Sequence, residues 1–240
     1  MSGTQLNRAA AGSFILLVAT VIPAFILLGL VEVDSARDKI GESLVDIDDD
    51  EAIAIVGLAI DMLTNIAAAV VAVVTYLLFR RRNQALALLS FGGQFISAIL
   101  FTIATVASLV VVRLANDLAD GGAGGAGEAE IVELARTVAA IVEFSQFAGL
   151  TFLGTGLIAL GVLIALIPSP DAATRAISTV PRWVGGLVAL SGTLMLFGWL
   201  TAVEQDLFVI AFIGMIGTLV TLLFLAGWLL RAPEEPETVS

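Results

Sequence analysis

The chain has no cysteine, no histidine, a single lysine and a single tyrosine. Without cysteine there is no disulfide or thiol chemistry. Without histidine there is no imidazole metal ligand, no imidazole general base and no side chain that switches charge near neutral pH. Other catalytic signatures are missing too: there is no Gly-x-Ser-x-Gly elbow, no phosphate loop with its lysine, and no second intramembrane aspartate to complete a dyad. Basic residues number 11 against 22 acids, for a net charge of −11. That balance excludes nucleic acid bound through phosphate neutralisation.

Apolar sequence is abundant. Hydrophobic residues make up 59% of the chain and the mean hydropathy is +1.04, well above the roughly 45–50% apolar content of soluble domains. A water-soluble fold is excluded. Six runs are long and apolar enough to cross a bilayer: 9–31, 52–79, 83–112, 137–167 (its apolar run extending to Pro170), 183–203 and 207–230. The fold class expected is all-α, an integral membrane bundle of six transmembrane helices forming one domain over residues 1–231. Segments 32–51 and 113–130 are its outer loops, and 232–240 is a disordered acidic cytoplasmic tail. The first run exceeds a signal-peptide core of about 7–15 residues and ends without a small-x-small cleavage site, so it reads as an uncleaved span.

Orientation follows from the basic residues. With the N-terminus inside, the inner segments hold Arg8, Arg80, Arg81, Arg82, Arg175, Arg182 and Arg231, against Arg37, Lys39, Arg113 and Arg136 outside. This places both termini in the cytoplasm, and most of the acids then fall on the outer face. Trp183, Trp199, Trp228 and Tyr76 stand near span ends, as an aromatic belt requires. Pro23 is expected to kink the first span. Gly185, Ala189 and Thr193, like Ala104 and Ser108, form small faces suited to close packing within the chain. In the first outer loop Ile40, Leu44 and Ile47 recur at helical spacing, which predicts a short amphipathic helix over the bundle. Ser43 there is expected to face outside water, and Ser178 the cytoplasm. Residues 121–127 are a glycine-rich linker, and 128–136 should extend the fourth span as helix. No internal repeat of the kind found in transporters is visible.

Three segments carry a resemblance: Asn7-Arg8 followed by Gly12 and Leu17-Val18-Ala19-Thr20-Val21; the continuous stretch from Tyr76 through Arg80-Arg81-Arg82-Asn83 to Leu88; and Val180-Pro181-Arg182-Trp183. Together with their spacing they resemble the family of six-helix membrane proteins known as domain of unknown function 4386. The resemblance implies a compact six-helix bundle and no particular activity. It also implies polar or charged residues early in the third span, a pattern from which this chain departs with Gln94 and Ser97, so a charge-dependent activity shared with the family is not expected. The low-lysine, acid-rich, Ala/Val/Gly-rich composition resembles that of proteins from halophilic archaea, where molar salt shortens the Debye length to about 3 Å.

Ionisable residues inside spans are functional candidates, because a charge at the bilayer centre costs about 2.5 kcal/mol or more. Asp61 and Glu143 qualify, and their distances along the helix from Arg80 and Pro168 put both toward the outer side. Asn65 lies one turn below Asp61 and Gln146 one turn below Glu143. If the second and fourth spans adjoin, Asp61, Asn65, Glu143 and Gln146 form an outward-opening polar vestibule for a cation, a polar ligand or a proton; otherwise they hydrogen-bond helices together. Gln94 lies nearest the midplane and is expected to bond a neighbouring helix. Arg80, Arg81 and Arg82 mark topology and contact anionic lipid. Asp46, Asp48 and Asp50 match the opening of a calcium loop, but Glu51 and Gly57 break the pattern, which leaves a solvated acidic face and no metal site.

The function expected is that of a multi-pass cell-membrane protein, structural or accessory, with no catalysis and no cofactor. Its partners would be membrane lipid and a membrane protein or a second copy. The alternative is a small transporter or sensor using the outer polar cluster.

Overall fold

The computed structural model describes residues 3–30, 40–120, 127–166, 180–197 and 208–231. Within them lie seven helices: α1 (Gly3–Leu30), α2 (Ile40–Asp49), α3 (Glu51–Phe79), α4 (Gln84–Ala119), α5 (Glu128–Leu166), α6 (Arg182–Leu196) and α7 (Phe208–Leu230). Among the described residues five helices are long and apolar enough to cross a membrane: Thr4–Leu28, Glu51–Phe79, Gln84–Ala119, Glu128–Leu166 and Val209–Leu230. The expected fifth span, 183–203, is described only as far as Phe197. Residues 31–39, 121–126, 167–179, 198–207 and 232–240 lie outside the described set, and with them Ser178, Trp199, most of the glycine linker and the acidic tail.

The apolar runs become helices because hydrocarbon offers a backbone no partner but its own carbonyls. Their outward faces remain apolar, with Leu63 and Ile66 of α3, Ile99 of α4, Val220 of α7 and, at 73% exposure, Phe144 of α5 all uncovered. Such surface is costly in water at roughly 25 cal/mol per Å², and costs nothing against lipid. Pro23 lies inside α1 and does not end it.

α4 and α5 run furthest beyond the expected spans. α4 has 36 residues and α5 has 39, about 54 and 59 Å at roughly 1.5 Å per residue, against a hydrocarbon core of about 30 Å. Residues 113–119, expected in a loop, continue α4 until Asp120 and the glycines that follow. An ion pair from Arg113 to Asp117 at 3.1 Å supports the α4 extension, and one from Arg136 to Glu133 at 2.6 Å supports that of α5.

The chain divides into two units. In the unit formed by Ala19–Ile66 and Ile99–Phe147, α2 turns Ile40, Leu44 and Ile47 into a core with Ala54, Leu58, Val111, Ala115, Ile131 and Ala135. The amphipathic helix expected from spacing is therefore present. Ser43 is a correction: it is 2% exposed, on the same face as the buried isoleucines and leucine, so it does not face water.

In the other unit, formed by Met1–Val18, Ala67–Ala98 and Ala148–Ser240, glycine governs the packing. A Cβ on Gly93 of α4 would lie 2.6 Å from the Phe152 carbonyl oxygen and 2.7 Å from the Gly156 nitrogen of α5. Between α5 and α6, Gly154 meets Gly192 and Gly161 meets Gly185 in the same way. The small face at Gly185 and Ala189 is thus occupied within the chain. Trp183 of α6 packs on Phe224 of α7, ring centroids 5.4 Å apart, and Phe224 stacks on Trp228 at 5.8 Å.

A methyl group at Gly161 would meet the Gly185 oxygen at 2.5 Å, whereas one at Gly186 meets nothing within 4 Å. Gly161→Ala should therefore lower stability by about 1–3 kcal/mol, as overpacking does, and Gly186→Ala should leave it unchanged. Thermal unfolding of the two variants in detergent measures the difference.

Candidate functional site

The helices α3 and α4 are joined by the short turn 80–83, which Asn83 closes by accepting a hydrogen bond from the Leu86 amide at 3.0 Å. Asp61 and Thr105 stand at similar distances from this turn along the two helices, so an antiparallel hairpin brings them level.

The Thr105 hydroxyl donates to Asp61 Oδ2. Asn65 Nδ2 donates to the same carboxylate oxygen at 3.4 Å and to Thr105 Oγ1 at 3.0 Å. Thr105 Oγ1 also lies 2.9 Å from the Phe101 carbonyl oxygen, one turn back on α4. Asn65 and Thr105 are 5% and 2% exposed, while Asp61 is half-buried. Three polar side chains on two helices thus share their bonds, and the cost of placing Asp61 in a span is offset by two donors. Nearer the helix ends in the same unit, Asn116 Nδ2 donates to Glu51 Oε1 at 2.6 Å.

The expected vestibule forms only in part. Asp61 and Asn65 come together, but Glu143 is half-buried, Gln146 is exposed, and among the described residues neither bonds to this cluster. α5 turns Ser145 inward at 4% exposure, and Gln146, the next residue, is carried about 100° round the helix toward the outside. Thr105 takes the place assigned to them. A lone threonine in an apolar run carries no signal by itself. Pairing the two helices about the 80–83 turn would have found it.

Gln94 is buried at 6%, but its side-chain amide donates to Ser90 Oγ of its own helix at 2.8 Å and not to a neighbour. The reason is local: the facing residue of α5 is Gly156, which has no side chain to accept. The arginines also divide. Arg80 and Arg81 are exposed, whereas Arg82 is half-buried and donates from Nη1 to the Leu163 carbonyl at 3.2 Å, its guanidinium 5.5 Å above the Phe79 ring. That carbonyl lies in the last turn of α5, where acceptors lack helical partners and a cation is favoured. Arg82 is therefore a helix cap. Its burial draws the guanidinium below its ordinary value, without making it a practical proton donor.

The model of a family described as a domain of unknown function (DUF4386) matches residues 9–232. No curated protein and no solved structure matches the chain.

The shared bonds predict energetic coupling. In a double-mutant cycle of Asp61→Ala and Thr105→Val, unfolding in detergent should show a coupling of about 0.6 kcal/mol, with about 1.7 as the upper end for such pairs; zero coupling would contradict the geometry.

Proposed function

Since the chain belongs to the DUF4386 family and its helices are fit to cross a membrane, we propose that it is a structural or accessory membrane protein with no catalysis. The observation that carries this reading is that the Asp61 carboxylate, an ionisable group inside a span, is taken up by Asn65 and Thr105 between helices. Glycine-to-glycine contacts along α4, α5 and α6 support it, because they spend the available surface on internal packing. The apolar faces left outward, such as Leu63, Ile66 and Phe144, fit lipid, a second copy or another membrane protein. No cofactor enters the proposal.

The proposed arrangement has six spans in a cell membrane, both termini in the cytoplasm and the acid-rich loops outside, as the distribution of arginine favours. The acidic, lysine-poor composition fits a halophilic host. Arg80 and Arg81, both exposed, remain suited to anionic headgroups. A second reading, a small transporter or sensor, is favoured by one fact: the Asp61 carboxylate is half-buried within a helix fit to span a membrane.

Native mass spectrometry of the protein, gently extracted at high salt, separates the two. Bound lipid with a stoichiometric protein partner or a second copy is the expected result; a retained non-lipid small molecule favours the transporter or sensor. Orientation is tested by cysteine labelling in the natural cysteine-free background. Asp49 and Gln84 are exposed, so Asp49→Cys should react with an impermeant thiol reagent added to intact cells and Gln84→Cys should not. The reverse pattern would invert the topology.

A further inference from the structure

The hydroxyl of Thr105 has one proton and two acceptors in reach, the Asp61 carboxylate and the Phe101 carbonyl oxygen. It cannot serve both at once, and because the mid-helix Phe101 carbonyl already has its helical partner, the proton is free to lie toward Asp61. Asn65 has committed its two amide hydrogens, one to Asp61 and one to Thr105. The cluster has a place for one additional proton. Placed on Asp61 Oδ2 it is donated to Thr105 Oγ1, and the threonine's own proton turns to the Phe101 carbonyl. Thr105 Oγ1 then accepts from Asp61 and Asn65 and donates once, which is the full capacity of a hydroxyl.

We infer that Asp61 and Thr105 form a proton-binding site in which one exchangeable proton is held between the two helices. Binding adds the proton to the carboxylate and rotates the Thr105 hydroxyl from Asp61 to Phe101. Release reverses both changes. The contact between α3 and α4 survives in either state, because only the direction of donation changes. The site rests on α3 and α4 crossing a membrane and is compatible with either role proposed above.

The charged groups of the surrounding elements leave this proton to the pair. In the same unit, residues 19–30 of α1 carry no ionisable side chain. On α4, Arg113 pairs with Asp117, and on α5, Arg136 pairs with Glu133. α2 carries Glu42, Asp46, Asp48 and Asp49; α3 also carries Glu51, bonded to Asn116; α5 also carries Glu128, Glu130 and Glu143. Among the described residues no cation forms a salt bridge with Asp61.

The test is infrared absorption of the purified full-length protein in lipid discs, titrated over pH, reading the carbonyl stretch of protonated carboxyl groups. Subtracting the Asp61→Asn titration from that of the parent isolates Asp61 from the many acids at helix ends. A reversible Asp61 component is expected, unchanged in position by Glu143→Gln and shifted in Thr105→Val, which removes the acceptor of the Asp61 proton. A component absent throughout the folded pH range, or one whose position ignores Thr105→Val, would overturn the proposal. If Asp61→Asn does not fold, protein carrying carboxyl-13C aspartate, compared with and without Thr105→Val, decides the same question. Either negative result leaves the membrane topology to the cysteine labelling and the role to mass spectrometry.

Discussion

A leucine on a helix in hydrocarbon gains nothing by facing a neighbouring helix instead of a lipid tail, so helices in a bilayer must find another reason to associate. Here the reason in one unit is close approach of backbones. Gly93 with Gly156, Gly154 with Gly192, and Gly161 with Gly185 bring backbone atoms of adjacent helices to distances that any side chain would prevent. Van der Waals contact between the main chains then does what hydrophobic burial does in water. Other features follow from this closeness, including the fate of Gln94, which faces a glycine and turns to Ser90 of its own helix.

Polar groups in apolar helices face the complementary constraint that hydrocarbon offers them no partner, and several are satisfied by protein. Asp61, Asn65 and Thr105 satisfy one another across two helices, and Arg82 lends its charge to the carbonyl end of α5. Arrangements of this kind bind helices together and also put an ionisable group where its proton matters. In the proposed proton site, the three side chains that hold the helices together would also supply the chemistry.

Much of this was legible in the chain itself. Helix class and the cores of the spans follow from apolar runs, and α2 follows from the spacing of Ile40, Leu44 and Ile47. The Asp61 and Asn65 pair is visible because residues four apart share a helix face. Helix ends were harder: residues 113–119 look like loop because they are polar, yet nothing in them breaks a helix before the glycines. Thr105 required the register between two helices, and Gln146 the rotation of α5 about its axis, neither of which is a property of any single segment. Ser43 was misplaced because its acidic neighbours outweighed its position on the buried face of α2.

The glycine contacts join helices that are consecutive in the chain, α4 to α5 and α5 to α6. In the proposed membrane arrangement, a segment entering the bilayer would therefore meet as its partner the helix that immediately precedes it. Assembly of this part of the bundle needs no search among distant segments and no waiting for the C-terminus. It can advance in step with synthesis, each helix docking as it arrives, which keeps the loop-closure cost of each contact small.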